Sequence, residues 1–148
     1  MSKESISVVL MLTVAPLIAC STLVSIEPSR WGLDSVNPWA IASMAFFGLF
    51  TLVIWPTYIP ALVLTPVIMR KVASKESFRK LPVLFVIFTA ALVGALLGSV
   101  ILAPMILMSS HDPKLLLAWI SAGSAAGGVT LPLITLLYRR SQDVPPKI

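Results

Sequence analysis

Four long stretches of this chain contain no charged residue: 5–26, 35–69, 81–110 and 115–138. A helix needs about 20 apolar residues to cross a hydrocarbon core of about 30 Å, and each stretch is long enough. Lipid offers no hydrogen bonds, so a backbone placed there must satisfy itself, which for segments of this length means helix. Hydrophobic residues fill 57% of the 148 positions and charged ones 11%. A soluble domain of this size has too little interior to bury that much apolar surface. The chain therefore reads as all-α, a single polytopic membrane domain over 1–148. The expected architecture is a bundle of four transmembrane helices at about 5–26, 38–69, 81–110 and 114–138, with a basic loop at 70–80 and a tail at 139–148.

The basic residues set the orientation. If the N-terminus, the 70–80 loop and the tail share one side, that side holds Lys3, Arg70, Lys71, Lys75, Arg79, Lys80, Arg139, Arg140 and Lys147, nine of the eleven. Only Arg30 and Lys114 fall on the other. Basic flanks stay cytoplasmic, so both termini are expected in the cytoplasm of a bacterial cell whose inner membrane the chain crosses several times. The net charge of +5 belongs to this rim, which reads as an anchor on anionic headgroups. It is no nucleic-acid footprint.

The helix ends carry start signals. Asn37-Pro38 and Asp112-Pro113 each place a capping side chain before a proline at the first helical position. Trp31, Trp39 and Trp119 are expected near the outer interface and Tyr138 near the inner one, the depth aromatic rings prefer. His111, alone on a loop, reads as solvated, because a metal site needs three or four partners.

Residues 6–20 admit two readings, a first transmembrane helix or the apolar core of a signal peptide. Leu17-Ile18-Ala19-Cys20 resembles the lipobox of bacterial lipoprotein signal peptides, which implies lipidation of Cys20, the single cysteine. Against cleavage, Glu4 offsets Lys3, and the chain stays apolar as far as Ile26. An uncleaved first helix is the expectation. One cysteine also excludes an intramolecular disulfide and a Cys-x-x-Cys redox pair.

The second span is longer than a membrane requires and carries Trp55-Pro56-Thr57-Tyr58-Ile59-Pro60 near its middle, followed by Pro66. Pro56 removes the bond to the Leu52 carbonyl and Pro60 the bond to the Pro56 carbonyl. Nearby hydroxyls, Thr57 and Tyr58 among them, are available to free carbonyls. The segment is a hinge that shapes the bundle or, on the transporter pattern, a ligand site. Pro16, Pro104 and Pro132 are expected to interrupt the other spans. Spans three and four are rich in small residues. Ala90, Gly94 and Gly98 stand four apart in one, and Gly123, Gly127 and Gly128 fall within a run of small residues in the other. Such spacing lets backbones approach and gain dispersion contacts, the main attraction available in lipid. A seam between these two spans is the first expectation, and span four has small residues enough for a second neighbour.

No Asp, Glu, Lys, Arg or His lies inside any span, Lys114 standing at the very edge of the fourth. Proton-coupled transport needs an ionisable group at depth, and intramembrane proteolysis needs a nucleophile with a base, an acidic pair or a metal motif. No phosphate-binding or dinucleotide fingerprint occurs. No catalytic residue, metal or cofactor is expected. The first functional expectation is therefore a non-catalytic protein that packs against another integral membrane protein or a second copy of itself. It would be an accessory or assembly subunit, or an immunity-type protein that blocks a pore-forming toxin. In size and number of spans the chain is similar to bacteriocin immunity proteins. The alternative is a small carrier or channel for a neutral or apolar solute that uses the break at 55–60.

Overall fold

The structure is a computed structural model, and it describes residues 2–26, 37–49, 55–108 and 111–140. All regular structure among the described residues is helical: α1 (Lys3–Ile26), α2 (Pro38–Leu49), α3 (Trp55–Ala73), α4 (Glu76–Lys80), α5 (Val83–Ile101), α6 (Ala103–Met108) and α7 (Pro113–Arg140). Three helices are long and apolar enough to cross a membrane, α1, α5 and α7. The structure thus supports the all-helical membrane reading, with three clear spans where the sequence suggests four.

The difference lies in the second stretch. Residues 38–69 do not form one described helix. They divide into α2 and α3, and residues 50–54, with the Leu52 carbonyl expected to be freed by Pro56, lie outside the described residues. α2 has 12 residues, too few to cross. α3 has 19 and would extend about 28 Å. Its apolar character is diluted by Pro56, Pro60, Pro66, Thr57, Thr65, Arg70 and Lys71. Pro56 sits in the first turn of α3, where the missing N–H breaks no intrahelical bond. The third stretch also divides. α5 ends at Ile101, Leu102 turns, and α6 carries Pro104 in its first turn. By contrast, α1 and α7 continue as helix through Pro16 and Pro132.

Both capping side chains do their work. The Asn37 Oδ1 accepts the Trp39 N–H at 2.9 Å. The Asp112 Oδ1 accepts the N–H groups of Lys114 at 3.0 Å and Leu115 at 3.3 Å. Each satisfies donors that the first helical turn leaves without partners. Trp31 lies outside the described residues. Trp39 is exposed, and Trp119 is half-buried against Leu23, Leu102, Ala118 and Ala122. Tyr138 stands in the last turn of α7, beside Arg139 and Arg140. It is buried with Met11, Met69, Ala73 and Ile134, because its position in the α7 repeat faces the neighbouring helices.

α7 is the hub. Ala118, Ala122, Ala126, Thr130, Ile134 and Tyr138, all four apart, are buried. Four-residue spacing places them on one stripe of the helix. Two clusters along this stripe join α7 to α1. Leu23 with Ala118 and Ala122 marks the α6 end, and Met11 with Ile134 and Tyr138 marks the end near α4. At that second end Arg139 Nη2 donates to the Leu81 carbonyl at 2.7 Å, tying the end of α7 to the residues that lead into α5. The Lys80–Glu76 ion pair, at 2.8 Å, is largely exposed on both sides and adds little.

Candidate functional site

The glycines of α5 and α7 meet face to face. A Cβ built on Gly123 would lie 2.6 Å from the Gly98 carbonyl oxygen. On Gly94, Gly98 or Gly127 it would overlap the carbonyl of Gly127, Gly123 or Gly94 respectively. Any side chain larger than hydrogen would force the two backbones apart. Ala90 is buried on the same face of α5, one turn before Gly94. Beside the glycines, Ser99 Oγ and Ser124 Oγ are hydrogen-bonded at 3.0 Å. Gly128 is different. A Cβ there would come no closer than 3.5 Å, to the Ala91 carbonyl oxygen, which is ordinary contact. Gly128 therefore stands outside the close seam. On another face of α7, Ala118 and Ala122 pack with Leu23 of α1, so this second neighbour is part of the same chain.

The proline-rich segment supplies ties between helices. Trp55 opens α3, with Pro56, Thr57, Tyr58 and Pro60 in its first turns. Thr57 Oγ1 donates to the Ile101 carbonyl at 2.7 Å. Ile101 is the last residue of α5, whose carbonyl falls among those a helix end leaves without an internal partner. The Tyr58 hydroxyl donates to the Met11 carbonyl on α1. The sequence suggests local repair of freed carbonyls. The structure instead sends both hydroxyls to other helices, at separations of 44 and 47 residues.

Between α3 and the packed set of α1, α5 and α7 lies a half-open cleft of about 900 Å³. Its walls are almost wholly apolar, with Met11, Ala19, Leu23, Leu97, Ala126 and Ile134 among them. Thr57, Tyr58, Thr65 and Thr130 supply its hydroxyls, and no charged side chain lines it. Thr130 is a residue that sequence reasoning passes over. Hydropathy treats it as one more tolerated hydroxyl in a span, and nothing in its neighbours marks the cleft. Among the described residues no group of three or more His, Cys, Asp and Glu is placed to hold a metal ion.

Cys20 is buried in the continuous α1 helix and borders the same cleft. Helix runs on for six residues beyond it. The intact mass of the protein from cells is expected to be that of the unprocessed chain. A product that begins at Cys20 and carries acyl chains would overturn this. Comparisons with protein-family models, with characterised proteins and with solved structures find no match to this chain.

Proposed function

We propose that the chain is a four-span protein of a bacterial cytoplasmic membrane, with both termini in the cytoplasm, that carries out no chemistry and acts by packing against a second integral membrane protein. α3 supplies the fourth crossing. The basic residues at 70–80 and in the tail hold one side, and the loops with Arg30 and Lys114 face the other.

The observation that carries the reading is the outer face of α5. Leu84, Phe88, Leu92, Leu96 and Val100 form a ridge at four-residue spacing, each more than half exposed. Such a ridge fits the groove of another helix. The glycine seam and the Ala118–Ala122 face are taken up within the chain, which leaves a partner this bulky face to use. The hydroxyls at the helix crossings support the same reading, because Thr57, Tyr58, Ser99 and Ser124 hold helices together. An accessory subunit and an immunity-type protein both work through contacts of this kind. A second reading, a carrier for a neutral or apolar solute, is favoured by the cleft.

The test is crosslinking in cells, with a photoreactive amino acid replacing Phe88 or Leu96. The expected result is one discrete protein adduct from both positions and none from Leu117, exposed on α7. Crosslinks to lipid alone would remove the partner reading. Topology is checked separately. Reporters after Lys147 and at Lys75 are expected to behave as cytoplasmic and one at Gly32 as external. An external signal at Lys75 would reject the orientation.

A further inference from the structure

We propose that a half-open groove bounded by α3, α4, α5 and α7, at the basic end of the bundle, binds one anionic phospholipid. One acyl chain lies in the groove, and the phosphate rests against Lys71, Lys75 and Arg139. The inference stands whether or not a protein partner exists, and whichever way the chain faces across the membrane.

The groove has a volume of about 340 Å³, and no charged side chain lines it. Ile68 and Val72 of α3, Phe78 of α4 and Phe85 of α5 are on its walls. The volume is at the low end for small-molecule sites, which leaves room for one hydrocarbon chain rather than a whole lipid. From Phe85 to Leu97, both lining residues, α5 rises about 18 Å. Half of a hydrocarbon core is about 15 Å. A chain that enters at the basic end therefore reaches the middle of the bilayer within the groove.

Charge at the mouth distinguishes this groove from the larger cleft. Lys75 stands in the turn between α3 and α4. Its N–H donates to the Val72 carbonyl, and its carbonyl accepts the Phe78 N–H, each at 3.1 Å. Its backbone is thus held between two lining residues, while its side chain is exposed. Lys71, also exposed, is three residues beyond Ile68, one turn along the same side of α3. Arg139 follows the lining residue Thr135 by four, on the same stripe of α7. Its Nη2 donates at 2.7 Å to the carbonyl of Leu81, another lining residue. Three separate segments therefore bring a cation to one opening. Lys80 and Glu76 are paired at 2.8 Å, so together they add no net charge.

An apolar groove beneath a cluster of cations selects an amphiphile of negative charge. Basic pockets between membrane helices hold anionic headgroups in this way. Lysine stems lie along apolar surface and carry the ammonium to headgroup level, and phosphate oxygens accept charge-assisted hydrogen bonds from ammonium and guanidinium alike. A soluble anion would satisfy the cations and leave the groove unfilled. An acidic protein segment would do the same, because the groove lies at the depth of acyl chains. The site is also narrower than the basic rim as a whole. Arg70 is two residues from both Ile68 and Val72, which places it nearly opposite them on α3 and outside the site.

The experiment places the full-length protein in phosphatidylethanolamine vesicles with a low fraction of phosphatidylglycerol that carries a photoreactive diazirine in one chain. Labelled peptides are mapped by mass spectrometry. Label is expected on the groove residues of α3 (68–72) and α5 (85–97), above both the outer ridge of α5 and the labelling given by phosphatidylethanolamine with the same diazirine. Lys75→Ala is expected to lower groove labelling about five-fold, the effect of one surface lysine at an anionic headgroup. Lys75→Arg, which keeps the charge, is expected to retain it. Arg70→Ala on the same rim, and Lys114→Ala at the other end of the bundle, are expected to stay near the parent level. Equal labelling by the two lipids, label confined to the outer ridge, or no loss in Lys75→Ala would overturn the proposal. So would an Arg70→Ala loss as large as that of Lys75→Ala, because a diffuse rim and no site would then be at work. In cells, a photoreactive amino acid replacing Leu81 is expected to capture phospholipid. A protein adduct there would give the mouth to an acidic partner and overturn the lipid assignment.

Discussion

Gly98→Leu is expected to yield no monodisperse folded protein in detergent, and Gly128→Ala to fold at least as well as the parent. The two positions sit in the same pair of helices, and hydropathy does not distinguish them. At Gly98 even a Cβ overlaps the Gly123 carbonyl and comes within 3.1 Å of the Gly127 nitrogen. The obstacle is backbone on both sides, which cannot rotate away as a side-chain tip can. Overpacking in a compliant core costs about 1–3 kcal/mol, and a rigid obstacle places Gly98→Leu at or beyond the upper end. At Gly128 the nearest atoms leave a methyl in ordinary contact. Alanine there also recovers helix propensity, about 1 kcal/mol relative to glycine in water. Thermal denaturation followed by size exclusion checks both. Equal stability of Gly98→Leu and the parent would mean that α5 and α7 do not approach as described.

The second large effect is expected at Ile134, among the largest fully buried side chains of the bundle at 1% exposure. It packs with Met11, Met69, Ala73 and Tyr138, so α1, α3 and α7 all converge on it. In a soluble core the loss of an isoleucine to alanine costs about 2–5 kcal/mol, part from transfer out of water and part from the cavity left behind. A helix in lipid gains little from transfer, because the surrounding chains are as apolar as the interior. What Ile134→Ala removes is contact with neighbouring atoms. A loss of about 2 kcal/mol, the low end of that range, is therefore expected. Leu133→Ala, one residue away and 41% exposed, is expected to stay within about 0.5 kcal/mol. Denaturant titration in mixed micelles reads both. Equal losses at the two positions would show that the convergence of three helices on Ile134 is not present in solution.

How far the sequence led differs from element to element, for physical reasons. Helical character was plain because long uncharged stretches leave lipid-embedded backbone no other solution. The caps at Asn37 and Asp112 were readable because they act within three residues. Glycine spacing pointed to a face of close approach, and Gly94, Gly98, Gly123 and Gly127 are where α5 and α7 touch. Gly128 was not separable from Gly127 by sequence, because a helix turns by 100° per residue and only coordinates say which of two adjacent glycines faces the neighbour. The break at Leu102 was suggested by Pro104. Yet Pro16, Pro60, Pro66 and Pro132 sit inside continuous helices, so the expected break at 55–60 does not extend to Pro60, and a proline alone does not decide where a helix ends. Least readable were the relations between distant segments: the hydroxyls of Thr57 and Tyr58 reaching α5 and α1, the burial of Tyr138, and the cleft beside Thr130. Each depends on which helices become neighbours, and periodicity along one helix does not encode that.

The packing of α1 along α7 has a consequence for how the protein is made. α1 is the first of these helices to leave the ribosome and α7 the last, so the stripe that covers Met11 and Leu23 is among the last pieces synthesised. Until it arrives, α1 can persist as a helix in lipid, since insertion and association are separable stages, but its buried face has no permanent neighbour. Assembly of this bundle therefore cannot proceed strictly in order of synthesis. A ribosome that stalls before the codon for Pro113 leaves an N-terminal helix without its partner, a state that membrane chaperones and proteases can distinguish from the finished protein.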